Sequence, residues 1–200
     1  MKNVVNRALA AKKKQIILFI AALMSIGAMA QGHMKFKGIE MTGTPQEFAQ
    51  KLKAQGLTYV TTIGNSLVLN GSFAGEANCN IYIALDGNVV SSVGVYSENY
   101  DTWSALYSLW DSWRKMLTQK YGQPVSNVEK WTIGHEPSSD SSKMMWLAEG
   151  AAKFETGFIV DGVGAIKCYI THTKSGDFVS LSYVDFQNFD IRNGSAIDDL

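Results

Sequence analysis

The sequence predicts an α+β domain: a largely antiparallel β-sheet with helices packed on it. Three observations carry this. Runs of alternating apolar residues recur from Leu57 onward, joined by short turns rich in Gly and Asp, the pattern of hairpins rather than of parallel crossovers. Helical stripes separate groups of these runs instead of alternating with single strands. Residues 31–200 have the length of one domain, and no Ser/Pro/Gly-rich linker divides them.

The elements follow in order. Met34 to Met41 reads as one strand. Thr44-Pro45-Gln46-Glu47 then starts a helix, with Thr44 as N-cap, Pro45 at the first helical position and Glu47 completing a capping box. Phe48 and Leu52 form its apolar stripe, and Gly56 stops it. Leu57 to Thr62 and Leu67 to Phe73 read as strands. Cys79 to Leu85 and Val89 to Tyr96 form a hairpin around Asp86-Gly87-Asn88. A three-residue loop pairs Ile81 with Val93 and Cys79 with Val95, which keeps one apolar face.

Asp101 to Tyr121 gives the strongest helical pattern, with Asp101 as its cap. Trp103, Leu106, Trp110, Trp113, Leu117 and Tyr121 recur at steps of three and four, and Gly122 and Pro124 end the run. A short strand (Val125 to Ile133), a polar loop and a short helix (Asp140 to Glu149) come next. Lys153 to Val160 and Ala165 to Thr173 flank Asp161-Gly162-Val163-Gly164 as a hairpin. Phe178 to Phe186 is the last strand, and the polar tail from about 188 is expected to be loose. Ile81-Tyr82-Ile83 followed by Val93-Gly94-Val95-Tyr96 echoes Cys168-Tyr169-Ile170 followed by Leu181-Ser182-Tyr183. A duplicated α-β-hairpin unit is one reading of this echo; the generic likeness of hairpins is the other.

Residues 1–30 read as a signal peptide. Lys12-Lys13-Lys14 precede the apolar run Ile16 to Ala30, and Ala28-Met29-Ala30 supplies small residues for cleavage. The run is short for a membrane span, and no second one follows, so the mature chain, 31–200, is expected to be secreted or periplasmic with no transmembrane segment. Residues 1–30 hold five of the 18 basic residues and no acid, which leaves 13 basic against 18 acidic residues, a net of −5. A modestly acidic chain without a basic tract argues against a nucleic-acid partner.

Phe36-Lys37-Gly38-Ile39, Gly43-Thr44 with Glu47-Phe48, Lys120-Tyr121-Gly122-Gln123-Pro124 and Tyr183-Val184-Asp185-Phe186-Gln187-Asn188 resemble a group of small exported proteins of gut Bacteroidetes. The likeness spans most of residues 31–200, but its motifs are a helix start, a helix stop and a final strand, so it carries over no catalytic residue. The element order is also similar to β-lactamase-inhibitor-like folds, including small envelope-assembly lipoproteins.

Chemistry-bearing patterns are sparse. Cleavage after Ala30 would make Gln31-Gly32-His33 a square-planar four-nitrogen site for copper(II); an incidental histidine on a loose terminus is the alternative. His33, His135 and His172 are the only histidines, and no zinc-type spacing occurs. Cys168 and His172 share a strand face but stand roughly 13 Å apart at strand rise, too far for a nucleophile and its base. Cys79 and Cys168 are either a disulfide, which export permits, or two buried free thiols. No cofactor is expected. Tyr96, Tyr100, Trp103, Tyr107, Trp110 and Trp113 gather around one helix. Packing accounts for Trp103, Trp110 and Trp113 as a core stripe; Tyr100 and Tyr107 are less constrained and, with Trp103 between them, are the candidates to contact a ligand. The expected function is binding without catalysis. The partner is a protein in the envelope or outside the cell, with a glycan as the alternative and an unrecognised hydrolase behind both.

Overall fold

The computed structural model describes residues 32–84 and 88–189. The signal-peptide reading, Gln31, the Asp86-Gly87 turn and the tail from 190 lie outside them.

Eight strands form one antiparallel sheet in the order β3-β4-β5-β6-β10-β9-β8-β7. They are β3 (Thr58–Ile63), β4 (Ser66–Phe73), β5 (Glu76–Ala84), β6 (Ser92–Tyr96), β7 (Ser126–Trp131), β8 (Ala152–Val160), β9 (Gly164–Thr173) and β10 (Gly176–Asp185). Helix α1 (Pro45–Ala54) precedes β3 to β6, and helix α2 (Trp103–Tyr121) precedes β7 to β10. Each half is therefore a helix followed by a four-strand meander, and the last strand of each, β6 and β10, meet at the sheet centre. The sequence echo falls on the third and fourth strands of each half. The second half differs by an inserted helix, α3 (Asp140–Ala148), between β7 and β8.

Local chemistry explains the helix boundaries. The Thr44 side chain accepts from the Glu47 amide, and the Glu47 carboxylate accepts from the Thr44 amide, the reciprocal capping box. The cap of α2 is Thr102 rather than Asp101: its hydroxyl accepts from the Ala105 amide. Gly122, at φ 82°, ends that helix.

Three expectations are corrected. Met34 to Met41 is not one strand. Lys37 and Gly38 both take positive φ, 49° and 80°, and fold β1 (Lys35–Phe36) back onto β2 (Ile39–Glu40). Two consecutive left-handed residues make the tight hairpin turn that matches strand twist. The β5–β6 register differs by two residues: Ile81 faces Val95 and Ile83 faces Val93. A shift of two leaves every side chain on its own face, so the apolar pattern cannot resolve it. Finally, residues 188 and 189 are not loose. Asn188 is buried and donates from Nδ2 to the Met41 and Val90 carbonyls, and Phe189 is buried beside it in the sequence.

One face of the sheet carries the core. Leu69, Ile81, Val95, Leu181 and Cys168 run across five strands in register and pack with Phe48 and Leu52 of α1 and Trp110 and Trp113 of α2. Leu147 of α3 joins the same cluster. Phe154 of β8 meets the rings of Trp103, Tyr107, Trp110 and Trp131 at centroid distances of 4.8 to 5.9 Å, within the range of favourable edge and tilted contacts.

Candidate functional site

The opposite face carries a second set of aromatic side chains. Strand alternation sends Ile81, Ile83, Val95 and Cys168 into the core and their neighbours Tyr82, Tyr96 and Tyr169 to the other side. Tyr96 pairs with Ser180, which in turn pairs with Tyr169, so the three form one row across β6, β10 and β9. Tyr82 lies 4.8 Å from Tyr96, and Tyr96 lies 5.3 Å from Phe178 of β10, centroid to centroid. Helices α1, α2 and α3 all contribute to the core on the other face.

Small residues at the sheet centre make the arrangement possible. Gly94, Ser180 and Ser182 occupy the open-face positions of β6 and β10. A Cβ on Gly94 would meet the Tyr96 ring at 3.6 Å, so that ring lies along the strand instead of standing away from it. The tyrosines are half-buried, and burial is the largest influence pushing the phenols of Tyr82, Tyr96 and Tyr169 above their ordinary range. They are neutral at physiological pH, and the Tyr169 hydroxyl is engaged with Ser180.

Beside this stripe sits a charged group. Glu155 accepts from Lys153 at 2.9 Å and from Lys167 at 2.7 Å. Burial raises the Glu155 carboxyl, but the two lysines outweigh it and hold the group below its ordinary value. The Lys167 ammonium also lies 5.4 Å from the centre of the Tyr169 ring, within cation–π range.

The residues singled out from sequence are placed differently. Trp103 is 4% exposed and packs between Tyr107, Trp131 and Phe154, so it is corrected from ligand contact to core. Tyr107 stacks on Trp103 and donates to Glu129, and Tyr100 donates to Glu76 at 2.8 Å. Both rings are half-buried against the core and their hydroxyls are engaged. Tyr96, grouped by sequence with these helix-side rings, lies across the sheet from them. The open-face set was visible only as the non-core positions of the alternating runs, a signal present in the repeated Ile-Tyr-Ile and Cys-Tyr-Ile triplets.

Of the two readings of the cysteines, the disulfide is excluded and the pair of buried free thiols holds. Cys79 and Cys168 are free and buried. Their strands, β5 and β9, are separated by β6 and β10. Three strand spacings amount to roughly 14 Å, twice the reach of a disulfide between α-carbons. Burial pushes the Cys79 thiol up to about 12 and raises the Cys168 thiol as well. Neither has the low pKa of a nucleophile.

His33 is not a loose histidine. Its Nδ1 lies 3.2 Å from Asp185 Oδ2, and Asp185 is fully buried. The four-nitrogen copper geometry requires that same ring nitrogen, so metal would have to displace Asp185; Gly32 is described and Gln31 is not. His172 Nδ1 pairs with Asp177 at 2.7 Å across the β9–β10 hairpin, half-exposed at its end. Among the described residues no group of three His, Cys, Asp or Glu side chains is placed to hold a metal.

A pocket of about 210 Å³ lies on the helix side, lined by Phe73, Trp113, Met116, Lys120, Tyr121 and Tyr183 among others. It brings together apolar walls and one lysine, with neither a carboxylate nor a histidine. No family model, no curated protein and no solved structure matches the chain. No helix among the described residues is long and apolar enough to cross a membrane.

Proposed function

We propose that the chain is an exported binding protein without catalytic activity, and that its partner is a protein of the envelope or the extracellular space. The observation that carries this is the group of Tyr82, Tyr96, Phe178 and Tyr169 on the sheet face opposite α1, α2 and α3. Rigid aromatic side chains with polar tips give large contact area at low entropic cost, the composition favoured at protein interfaces. They stand on central strands of an eight-stranded sheet, which holds them in place before any partner arrives.

The glycan alternative rested on Tyr100, Trp103 and Tyr107, and those rings are engaged in packing and internal hydrogen bonds. The disposition of the acids also supports binding over hydrolysis: Asp111 pairs with Arg114 and Lys115, Glu155 with two lysines, and Asp185 with backbone amides.

Site-specific photo-crosslinking tests the reading. A benzoylphenylalanine replacing Tyr82 is expected to capture one protein species in the producing cells. The same group replacing exposed Met145, on α3, is not. Capture from Met145 but not from Tyr82 would sink it. The intact mass of the chain in the exported fraction tests the compartment: a start at Gln31 is expected.

A further inference from the structure

Resting on the open-face reading, we infer that the partner's contacting segment is acidic and apolar: carboxylates meet a lysine cluster on β7–β9 while apolar side chains cover the adjoining tyrosines.

The charge on this face runs against that of the chain. Residues 31–200 carry a net −5. On the open-face positions of the described strands, the ionisable charges are three lysines, Lys130, Lys153 and Lys167, and one glutamate, Glu155. The remaining positions carry Thr, Asn, Tyr, Gly, Ser, Phe and aliphatic residues. Glu98, two residues past Tyr96 and just beyond β6, accepts a hydrogen bond from Asn78 at 2.7 Å, at the far end of the face from the lysines.

The lysines are also placed at a cost to the fold. Lys130 of β7 and Lys153 of β8 are direct cross-strand partners, so their side chains emerge from one face side by side. Like charges directly opposite each other on a sheet are unfavourable. Lys153 has Glu155; Lys130 is exposed and has no carboxylate partner among the described residues. Glu155 is shared with Lys167. An exposed lysine pair kept in register, next to half-buried aromatic rings, is complementary to a segment that brings carboxylates and apolar side chains together.

The adjacency is close. Lys167 reaches over the Tyr169 ring, and Tyr169 shares its row with Ser180 and Tyr96. The basic and aromatic parts are thus one continuous surface spanning β5 to β7. A lipid headgroup layer would not use the recessed aromatic stripe, and a nucleic acid would need a far larger basic field. An acidic polysaccharide is the competing class, and the test separates it.

The full exported chain is labelled with nitrogen-15 and titrated with a peptide of alternating Glu and Leu. Its Lys/Leu counterpart and polygalacturonate are run in parallel. Expected are amide shifts confined to β5–β10 positions of the open face with the acidic peptide alone. Affinity should fall at least tenfold in Lys130→Glu and drop with added salt. Lys130→Glu also places opposite charges across the strands, so its unfolding midpoint is expected to rise while binding is lost, which excludes misfolding as the cause. Equal binding of the Lys/Leu peptide, or affinity unchanged in Lys130→Glu, would overturn the inference. So would shifts with polygalacturonate but not with the acidic peptide. If the Tyr82 crosslink still forms in Lys130→Glu with undiminished yield, the acidic-partner inference fails while the open-face reading stands. Absence of the Tyr82 crosslink in the chain that keeps Lys130 fails the open-face reading itself.

Discussion

The Asp185 carboxylate accepts a hydrogen bond from the Met34 backbone amide at 2.6 Å, across 151 residues of chain. The same side chain accepts from the Asn188 amide at 2.8 Å and faces His33. Asn188 then donates to the carbonyls of Met41 and Val90. One buried carboxylate and one buried amide thus fasten the start of the described chain, the segment before β6 and the end of the last strand. A short polar motif that reads in sequence as the frayed end of a strand is the point where the termini of the domain are joined.

Replacing Asp185 with Ala is expected to destabilise the fold by about 3 kcal/mol, because two buried amides lose their acceptor. Asp185→Asn keeps one acceptor oxygen and should cost less. Urea unfolding of the two variants checks the order. Equal stability of Asp185→Ala and the parent chain would show that the closure is not a determinant of the fold.

Phe154 is the shared member of the aromatic group formed with Trp103, Tyr107, Trp110 and Trp131. Phe154→Ala removes a ring that is 8% exposed and leaves a cavity. A loss of roughly 3–5 kcal/mol is expected, with a large change in near-ultraviolet circular dichroism. Open-face crosslinking at temperatures where the variant stays folded should persist.

The thiols set an alkaline limit. Burial, with Glu76 and Glu98 nearby, raises the Cys79 thiol from its ordinary 9.0 to about 12. The unfolded chain releases that proton first, so the folded state gains relative to it only below pH 9. The contribution is lost as pH rises from 9 to about 12. Stability is expected to fall across that window and to be insensitive to dithiothreitol throughout. A thiol reagent should modify no cysteine in the native chain at neutral pH and both after unfolding. A drop in stability on reduction would contradict the free-thiol assignment.

Lys130→Glu converts a like-charge cross-strand pair into an attractive one. A gain of about 0.2–1 kcal/mol is expected at low salt, shrinking as salt screens the pair. Thermal unfolding at two ionic strengths measures it, and a gain that does not shrink with salt would point away from charge.

Much of the secondary structure was legible because its determinants are local. The capping box at Thr44 and Glu47, the stripe from Trp103 to Leu117 with its Gly122 stop, and the alternation around Ile81, Cys168 and Leu181 each lie within one or two turns or pleats of chain. Errors came where two local solutions were equivalent. Asp101 and Thr102 are both competent caps, and the hydroxyl geometry chose Thr102. A two-residue slip in β5–β6 preserves both faces, so only the intervening connection fixes it. Lys37-Gly38 was missed as a turn because a lysine at positive φ carries no strong signal.

The α+β class, the main helices and hairpins, and the core-seeking residues of each strand are readable from the chain alone. These follow from periodicity and capping, which act over neighbouring residues. Tertiary structure alone decided that β6 and β10 meet at the centre and that Cys79 and Cys168 stand three strands apart. It also decided that Tyr82, Tyr96, Phe178 and Tyr169 share an open face with Lys130, Lys153 and Lys167. Those facts depend on strand order and register between distant segments, and alternation gives the side of a sheet on which a residue lies but not the neighbours it meets there.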